Sequence, residues 1–249
     1  MKNFINEDKI FDILGETQRP SRQRVETIIN KSLTLKGLNP EEAAVLLNCD
    51  EKVVLNKIFE TAKHIKETIY GNRLVLFAPL YLSDRCINNC LYCGFRKEHL
   101  NTETRCLDIN EIREETRALI SQGHKRLLIV SAEDPAVDID YVEEAIKTVY
   151  DTKEGNGGIR RVNINVAPMG VEDFKRLKQT GIGTYQLFQE TYHGNTYNQL
   201  HTSGPKSDYL KRLYACDLAQ SAGIDDVGIG ALFGLYDYKF EILALLFHT

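Results

Sequence analysis

The chain has 249 residues, 43% of them hydrophobic, with 31 Lys and Arg against 35 Asp and Glu for a formal net charge of -4. That hydrophobic share supports a packed core, and the acidic balance removes the electrostatic case for nucleic acid or an anionic membrane surface as partner. No apolar run approaches the ~20 residues needed to cross a bilayer, and Met1–Asp8 lacks the apolar stretch of a signal peptide, so a cytoplasmic setting is expected.

Residues 1–72 read as helices. Asn39-Pro40-Glu41-Glu42 is a helix start, with Asn as N-cap, Pro at the first helical position and acids in the first turn. Ala43, Ala44, Leu46 and Leu47 follow as its buried side, and Cys49 reads as a packing residue at the helix end. Val53, Val54, Ile58, Ala62, Ile65 and Ile69 recur at helical spacing, and Gly71-Asn72 ends that helix.

From Arg73 the rhythm becomes strand, loop, helix. Leu74–Leu80 is a short apolar run, as expected of a strand buried on both faces. The further strands expected are Arg126–Val130, Arg161–Val166, Thr184–Gln189 and Val227–Leu232. Between and after them, helices are expected over Asp108–Gln122, Asp140–Tyr150, Val171–Gln179, Ser207–Ala222 and Phe240–Phe247, with Gly155–Gly158 as a turn. Such βα units build a parallel sheet. A closed eight-fold barrel takes about 250 residues, so the fold class expected is α/β, a partial (βα) TIM-type barrel over 73–249 after a helical segment over 1–72. The apolar ending at Thr249 reads as a carboxy-terminal truncation.

Chemistry in such barrels gathers at the carboxyl ends of the strands. Five segments are therefore expected to meet at one mouth: the loop after the first strand, Ser131–Pro135, Asn163 with Asn165, Glu190–His193, and Gly228–Gly234. The first of these carries Cys86, Cys90 and Cys93 in a C-x3-C-x2-C array. Thiolates crowded on one loop wrap a metal centre more readily than they pair with each other. Three are one short of the four that close an iron–sulfur cube, which leaves one iron open to a small molecule. The competing reading is a structural zinc site with His99 as fourth ligand, although zinc sites usually use two ligand pairs set well apart. The remaining cysteines, Cys49, Cys106 and Cys216, lie singly and read as small apolar side chains.

This array, with an aromatic just before its third cysteine, resembles the radical S-adenosylmethionine (SAM) superfamily. The stretches Cys86–Arg96, Gly123–Arg126, Ala132–Pro135, Gln189–His193 and Gly223–Gly230 are similar to the aromatic-amino-acid lyases of that superfamily. That group includes the tyrosine lyase that matures FeFe-hydrogenase and the 2-iminoacetate synthase of thiamine synthesis. Glu133-Asp134-Pro135 and Gly234–Glu241 favour the maturase.

The resemblance implies a 4Fe-4S cluster held by Cys86, Cys90 and Cys93, with SAM on the open iron. It implies Tyr92 beside the adenine, Ser131-Ala132-Glu133 as the strand edge that meets the methionine ammonium, Glu190 on the ribose hydroxyls and Arg212 on the methionine carboxylate. Ala132 stands where the family has glycine, which puts a methyl beside the cofactor. The implied reaction cleaves the Cα–Cβ bond of L-tyrosine to p-cresol and dehydroglycine, with a flavodoxin- or ferredoxin-type electron donor and other hydrogenase-maturation proteins as partners. Conversion of dehydroglycine to carbon monoxide and cyanide resembles work done at a second cluster in a carboxy-terminal domain. No second C-x2-C motif is present, so this polypeptide is expected not to complete that stage. A non-catalytic metal-binding fragment is the alternative outside the enzyme class.

Overall fold

The computed structural model describes residues 1–99 and 103–249. In chain order its elements are α1 (Glu7–Glu16), α2 (Arg22–Ser32), α3 (Pro40–Leu47), α4 (Lys52–Tyr70), β1 (Ala78–Ser83), α5 (Ile109–Ser121), β2 (Arg126–Ser131), α6 (Ile139–Asp151), β3 (Lys153–Glu154), β4 (Gly157–Gly158), β5 (Arg161–Asn165), α7 (Val171–Gln179), β6 (Tyr185–Gln186), α8 (Gly194–Leu200), a 3-10 turn (Pro205–Ser207), α9 (Tyr209–Leu213), α10 (Ala215–Ser221), β7 (Val227–Gly228) and α11 (Tyr238–His248). They fall into two compact units. One comprises Met1–Val75, Thr191–His193 and Ala231–Thr249, and the other Leu76–Glu190 and Gly194–Gly230.

The first unit is helical. Asn39 and Glu42 form a reciprocal capping box at the start of α3, with Pro40 at its first turn, so two otherwise unpaired amides are satisfied. Val25, Ile28 and Ile29 of α2 pack with Val45 of α3 and Val54 of α4, and Cys49 lies against this cluster. The apolar stripe expected along α4 is only partly used. Val54 is its one buried residue, while Val53 and Ile69 stay exposed. Near α11, the buried Glu241 carboxylate accepts from the Thr191 hydroxyl and from the Tyr192 amide at 2.9 Å.

The second unit is a five-stranded parallel sheet in the order β1-β2-β5-β6-β7. Leu80 registers with Ile129, Ile129 with Ile164, and Ile164 with Tyr185, so one apolar row crosses the sheet. Val142 and Ile146 of α6 and Phe174 and Leu177 of α7 cover it, all fully buried. Phe174 meets Tyr185 edge-on with centroids 4.8 Å apart. Burying a side chain of that size contributes about 2–3 kcal/mol.

Several boundaries differ from expectation. The first strand runs Ala78–Ser83 rather than Leu74–Leu80. Leu74, Val75, Leu76 and Phe77 are all exposed, and within the strand Ala78, Leu80 and Leu82 point inward while Pro79 and Tyr81 do not. It is buried on one face, not two. The helix expected over Ser207–Ala222 is a 3-10 turn and two α-helices broken at Tyr214, and Asp208 caps the first of them onto the Lys211 amide. Helix α8 was not anticipated, and the turn around Gly155 closes a small antiparallel hairpin, β3 to β4.

Candidate functional site

The thiol loop leaves β1 and is tied down by backbone hydrogen bonds to distant segments. Ile87 N donates to Glu133 O at 3.0 Å, Asn89 N to Ser203 O at 3.1 Å and Leu91 N to Leu200 O at 2.9 Å. An isolated antiparallel bridge joins Cys90 to His201. The loop is thus sewn to the end of β2 on one side and to the segment after α8 on the other.

One cleft is lined by Cys86, Cys90 and Cys93, by Ser131, Ala132 and Glu133 at the end of β2, by Glu190 beyond β6, and by Lys206 and Arg212. Eight of the nine residues singled out from the sequence therefore face a common space. A larger cavity of about 440 Å³ shares the Ala132, Glu133, Val166 and Ala167 wall but contains no cysteine. The smaller cleft is the chemically competent one, because thiols, carboxylates and cations converge there. Asn163 lies elsewhere, accepting from Arg161 Nε at 3.1 Å. His193 belongs to the helical unit, where it stacks on Tyr236 at 3.8 Å. Gly228 and Gly230 serve packing. A Cβ on Gly230 would stand 2.6 Å from the Phe188 ring, and one on Gly228 would stand 3.0 Å from Gln186 Cγ.

The charged groups form a chain. Arg212 is 8% exposed and donates from Nε to the Phe188 carbonyl at 2.6 Å, with its Nη2 3.5 Å from Glu190 Oε1. Lys206 Nζ donates to the same Oε1 at 2.6 Å. Both cations use one oxygen, so the acceptor capacity of Oε2 is not spent on them. Glu190 adopts the left-handed backbone region, with φ at 72°, which is uncommon for a residue with a Cβ. Across the cleft, Glu133 Oε2 accepts from Asn88 Nδ2 at 2.7 Å. The Ala132 carbonyl accepts from the Ser131 hydroxyl at 2.8 Å and from the Asp134 amide at 2.9 Å, so its acceptor directions are used within the chain.

Tyr92 has a different neighbourhood. Its hydroxyl lies 2.7 Å from His201 Nε2, and the Lys206 ammonium sits 5.7 Å from its ring centre. Burial pushes the Tyr92 phenol above its ordinary range and holds His201 down to about 4.

The donor set suits an iron–sulfur cube. Burial pushes the Cys90 thiol up, Lys206 pulls it back, and Cys93 and Cys86 push it up further. A cationic metal core relieves that crowding. Two sulfurs already receive N–H groups, Cys93 from the Phe95 amide at 3.4 Å and Cys86 from Asn88 Nδ2 at 3.6 Å, the kind of contact that tunes a cluster. Among the described residues no three His, Cys, Asp or Glu side chains are spaced to share a single metal ion.

Lys206, Asn88 and His201 were not assigned to the site from sequence. Their pairings with Glu190, Asn88 and Tyr92 span 16 to 118 residues, and no spacing rule reports such pairings. The local signals are the position of Asn88 inside the thiol loop and the Gly204-Pro205 turn that precedes Lys206.

Comparison with known proteins gives the family. The profile of the Radical SAM superfamily matches residues 80–246. The crystal structure of HydG, a maturase of the FeFe-hydrogenase, is similar with TM-score 0.97 and 52% identity, covering 99% of this chain and 54% of that chain. HydG from Carboxydothermus hydrogenoformans is similar with TM-score 0.88 and 41% identity, over 97% of this chain and 56% of that one. The 2-iminoacetate synthase of Escherichia coli (strain K12) is 31% identical over 210 residues, 84% of this chain and 54% of the relative. The chain spans about half the length of the relatives it matches.

Proposed function

We propose, for a chain that belongs to the radical SAM superfamily, a lyase that opens the Cα–Cβ bond of L-tyrosine to p-cresol and dehydroglycine in FeFe-hydrogenase maturation. The similarity to HydG along nearly the whole chain carries this reading. Members of the superfamily bind a 4Fe-4S cluster and SAM. When bound, that pair supplies a 5′-deoxyadenosyl radical for hydrogen-atom abstraction from the tyrosine amino group.

The chain's own residues bind and orient. Cys86, Cys90 and Cys93 would hold the cluster. The Ser131–Glu133 edge, with the Glu133 carboxylate as its charged member, receives the methionine ammonium. Arg212 pairs with the methionine carboxylate, a role its planar fork suits. Glu190 accepts from the ribose hydroxyls through its unspent oxygen. Tyr92 stands at the adenine end. Segment 73–249 carries this chemistry and segment 1–72 is its helical lead-in. A flavodoxin- or ferredoxin-type donor supplies the electron, other maturation proteins are partners, and the setting is the cytoplasm. Among the described residues no helix is long and apolar enough to cross a membrane.

The test is anaerobic reconstitution with iron and sulfide, reduction, and addition of SAM and L-tyrosine. The electron paramagnetic resonance (EPR) spectrum of the reduced cluster should change on adding SAM, and p-cresol should form. A spectrum indifferent to SAM would sink the proposal. The similarity to 2-iminoacetate synthase supports a second reading with the same bond cleavage. Restoration of growth in a strain lacking that synthase, without restoration of hydrogenase maturation, would favour it.

A further inference from the structure

We infer that Asn88, a residue inside the thiol loop that is not itself a ligand, is a positioning residue that holds both cleft carboxylates and one thiolate in a single arrangement. Asn88 is 1% exposed. Its Oδ1 accepts from the Lys206 amide at 2.7 Å, and its Nδ2 donates to Glu133 Oε2 at 2.7 Å and approaches Cys86 Sγ at 3.6 Å. Lys206, placed by the first bond, carries its ammonium to Glu190. One side-chain amide thereby connects the Glu133 carboxylate, the Glu190 carboxylate and the Cys86 sulfur.

The chemistry dictates the amide's orientation. The Lys206 N–H can only donate and a carboxylate can only accept, so the oxygen must face Lys206 and the nitrogen must face Glu133. No other side chain of this size offers both functions at that separation. Aspartate would keep the acceptor and lose the donor, and would set a negative charge against Glu133. The backbone is shaped for the contact as well. Gly204 has φ at 91°, and a Cβ there would stand 2.4 Å from Asn88 Oδ1 and 2.8 Å from Ile87 O, so only glycine lets this segment close on the loop.

Two consequences follow. The N–H directed at Cys86 stabilises charge on sulfur and raises the cluster's reduction potential. The two carboxylates are held apart at fixed positions across the cleft before SAM arrives, which lowers the ordering cost of binding.

The inference rests on the radical SAM reading, and the experiment separates the two. The chain is reconstituted anaerobically without substitution, as Asn88→Asp and as Lys206→Met. Iron content, far-UV circular dichroism, midpoint potential by EPR-monitored titration, and SAM affinity from the EPR change are measured. Asn88→Asp should keep the fold and the iron, shift the potential downward and weaken SAM about tenfold or more. Lys206→Met leaves the Asn88 donor in place. It should keep the fold and the iron and weaken SAM about tenfold. An Asn88→Asp chain with unchanged potential and affinity would overturn the inference. Loss of fold or iron in that variant would also overturn it, because the amide would then be loop scaffolding. Unchanged SAM affinity in Lys206→Met would remove the Glu190 arm and overturn the joint role. If the unsubstituted chain shows no response to SAM, the lyase reading fails instead.

Discussion

The Tyr92 hydroxyl and the His201 imidazole form a hydrogen bond whose direction is set from behind. His201 Nδ1 lies 2.8 Å from the Tyr197 carbonyl, an acceptor only, so Nδ1 carries the proton and Nε2 receives the Tyr92 O–H at 2.7 Å. Burial keeps the imidazole neutral and the phenol protonated. Tyr92→Phe leaves Nε2 buried without its donor, which should cost about 1–3 kcal/mol in anaerobic urea denaturation. The ring is retained, so SAM affinity should change little. A stability equal to that of the unsubstituted chain would mean that the hydrogen bond contributes nothing.

Arg212 uses Nε on the Phe188 carbonyl and Nη2 toward Glu190. Arg212→Ala should weaken SAM binding about tenfold or more while iron content stays intact. Arg212→Lys should not restore it, since an ammonium cannot span both acceptors in a fixed plane. Isothermal titration of the reconstituted chain measures this, and equal affinity for all three forms would remove Arg212 from the cofactor site.

Cys90 is the most enclosed of the three thiols. Cys90→Ala should abolish four-iron reconstitution and 5′-deoxyadenosine formation, read by iron and sulfide analysis and by chromatography. Persistent formation of deoxyadenosine would contradict the ligand assignment.

Glu241 yields a pH dependence in the helical unit. Burial raises its pKa above the ordinary carboxylate value, opposed by the bonds from Thr191 and Tyr192 and reinforced by Asp237 and Glu7. A carboxyl whose folded pKa is raised holds its proton more tightly when folded. Its contribution is complete below the unfolded pKa and is lost as pH rises through the folded pKa, with a slope no steeper than about 1.4 kcal/mol per pH unit. Glu241→Gln should remove that slope and match or exceed the unsubstituted chain at pH 8. Parallel stability curves for the two between pH 5 and pH 8 would refute the assignment.

The alternation of apolar runs with amphipathic helices exposed the parallel sheet, and the C-x3-C-x2-C spacing exposed the thiols, because both signals are local. Misplacement of the first strand has a plain cause. Leu74–Phe77 is more apolar than Ala78–Ser83, yet the pairing that begins with Ala78 and Leu127 decides which stretch becomes strand. Arg212 was legible only through the family resemblance, and its burial beside the Phe188 carbonyl has no local sequence signal. Lys206 was silent because Asn88 and Glu190 become its neighbours only when the segment after α8 folds back onto the loop, and Asn88 because its bond to Glu133 spans 45 residues.

Glu190 bears a tension that its left-handed backbone makes visible. Glycine or asparagine would relax that torsion, worth about 1 kcal/mol, yet either would delete the acid. Removing the acid would also strand the Lys206 and Arg212 cations that it pairs, a larger cost than the torsional gain, so selection for heat tolerance and selection for cofactor affinity should both retain Glu at this codon. A strained torsion is thus kept in place by the two cations that lean on its side chain.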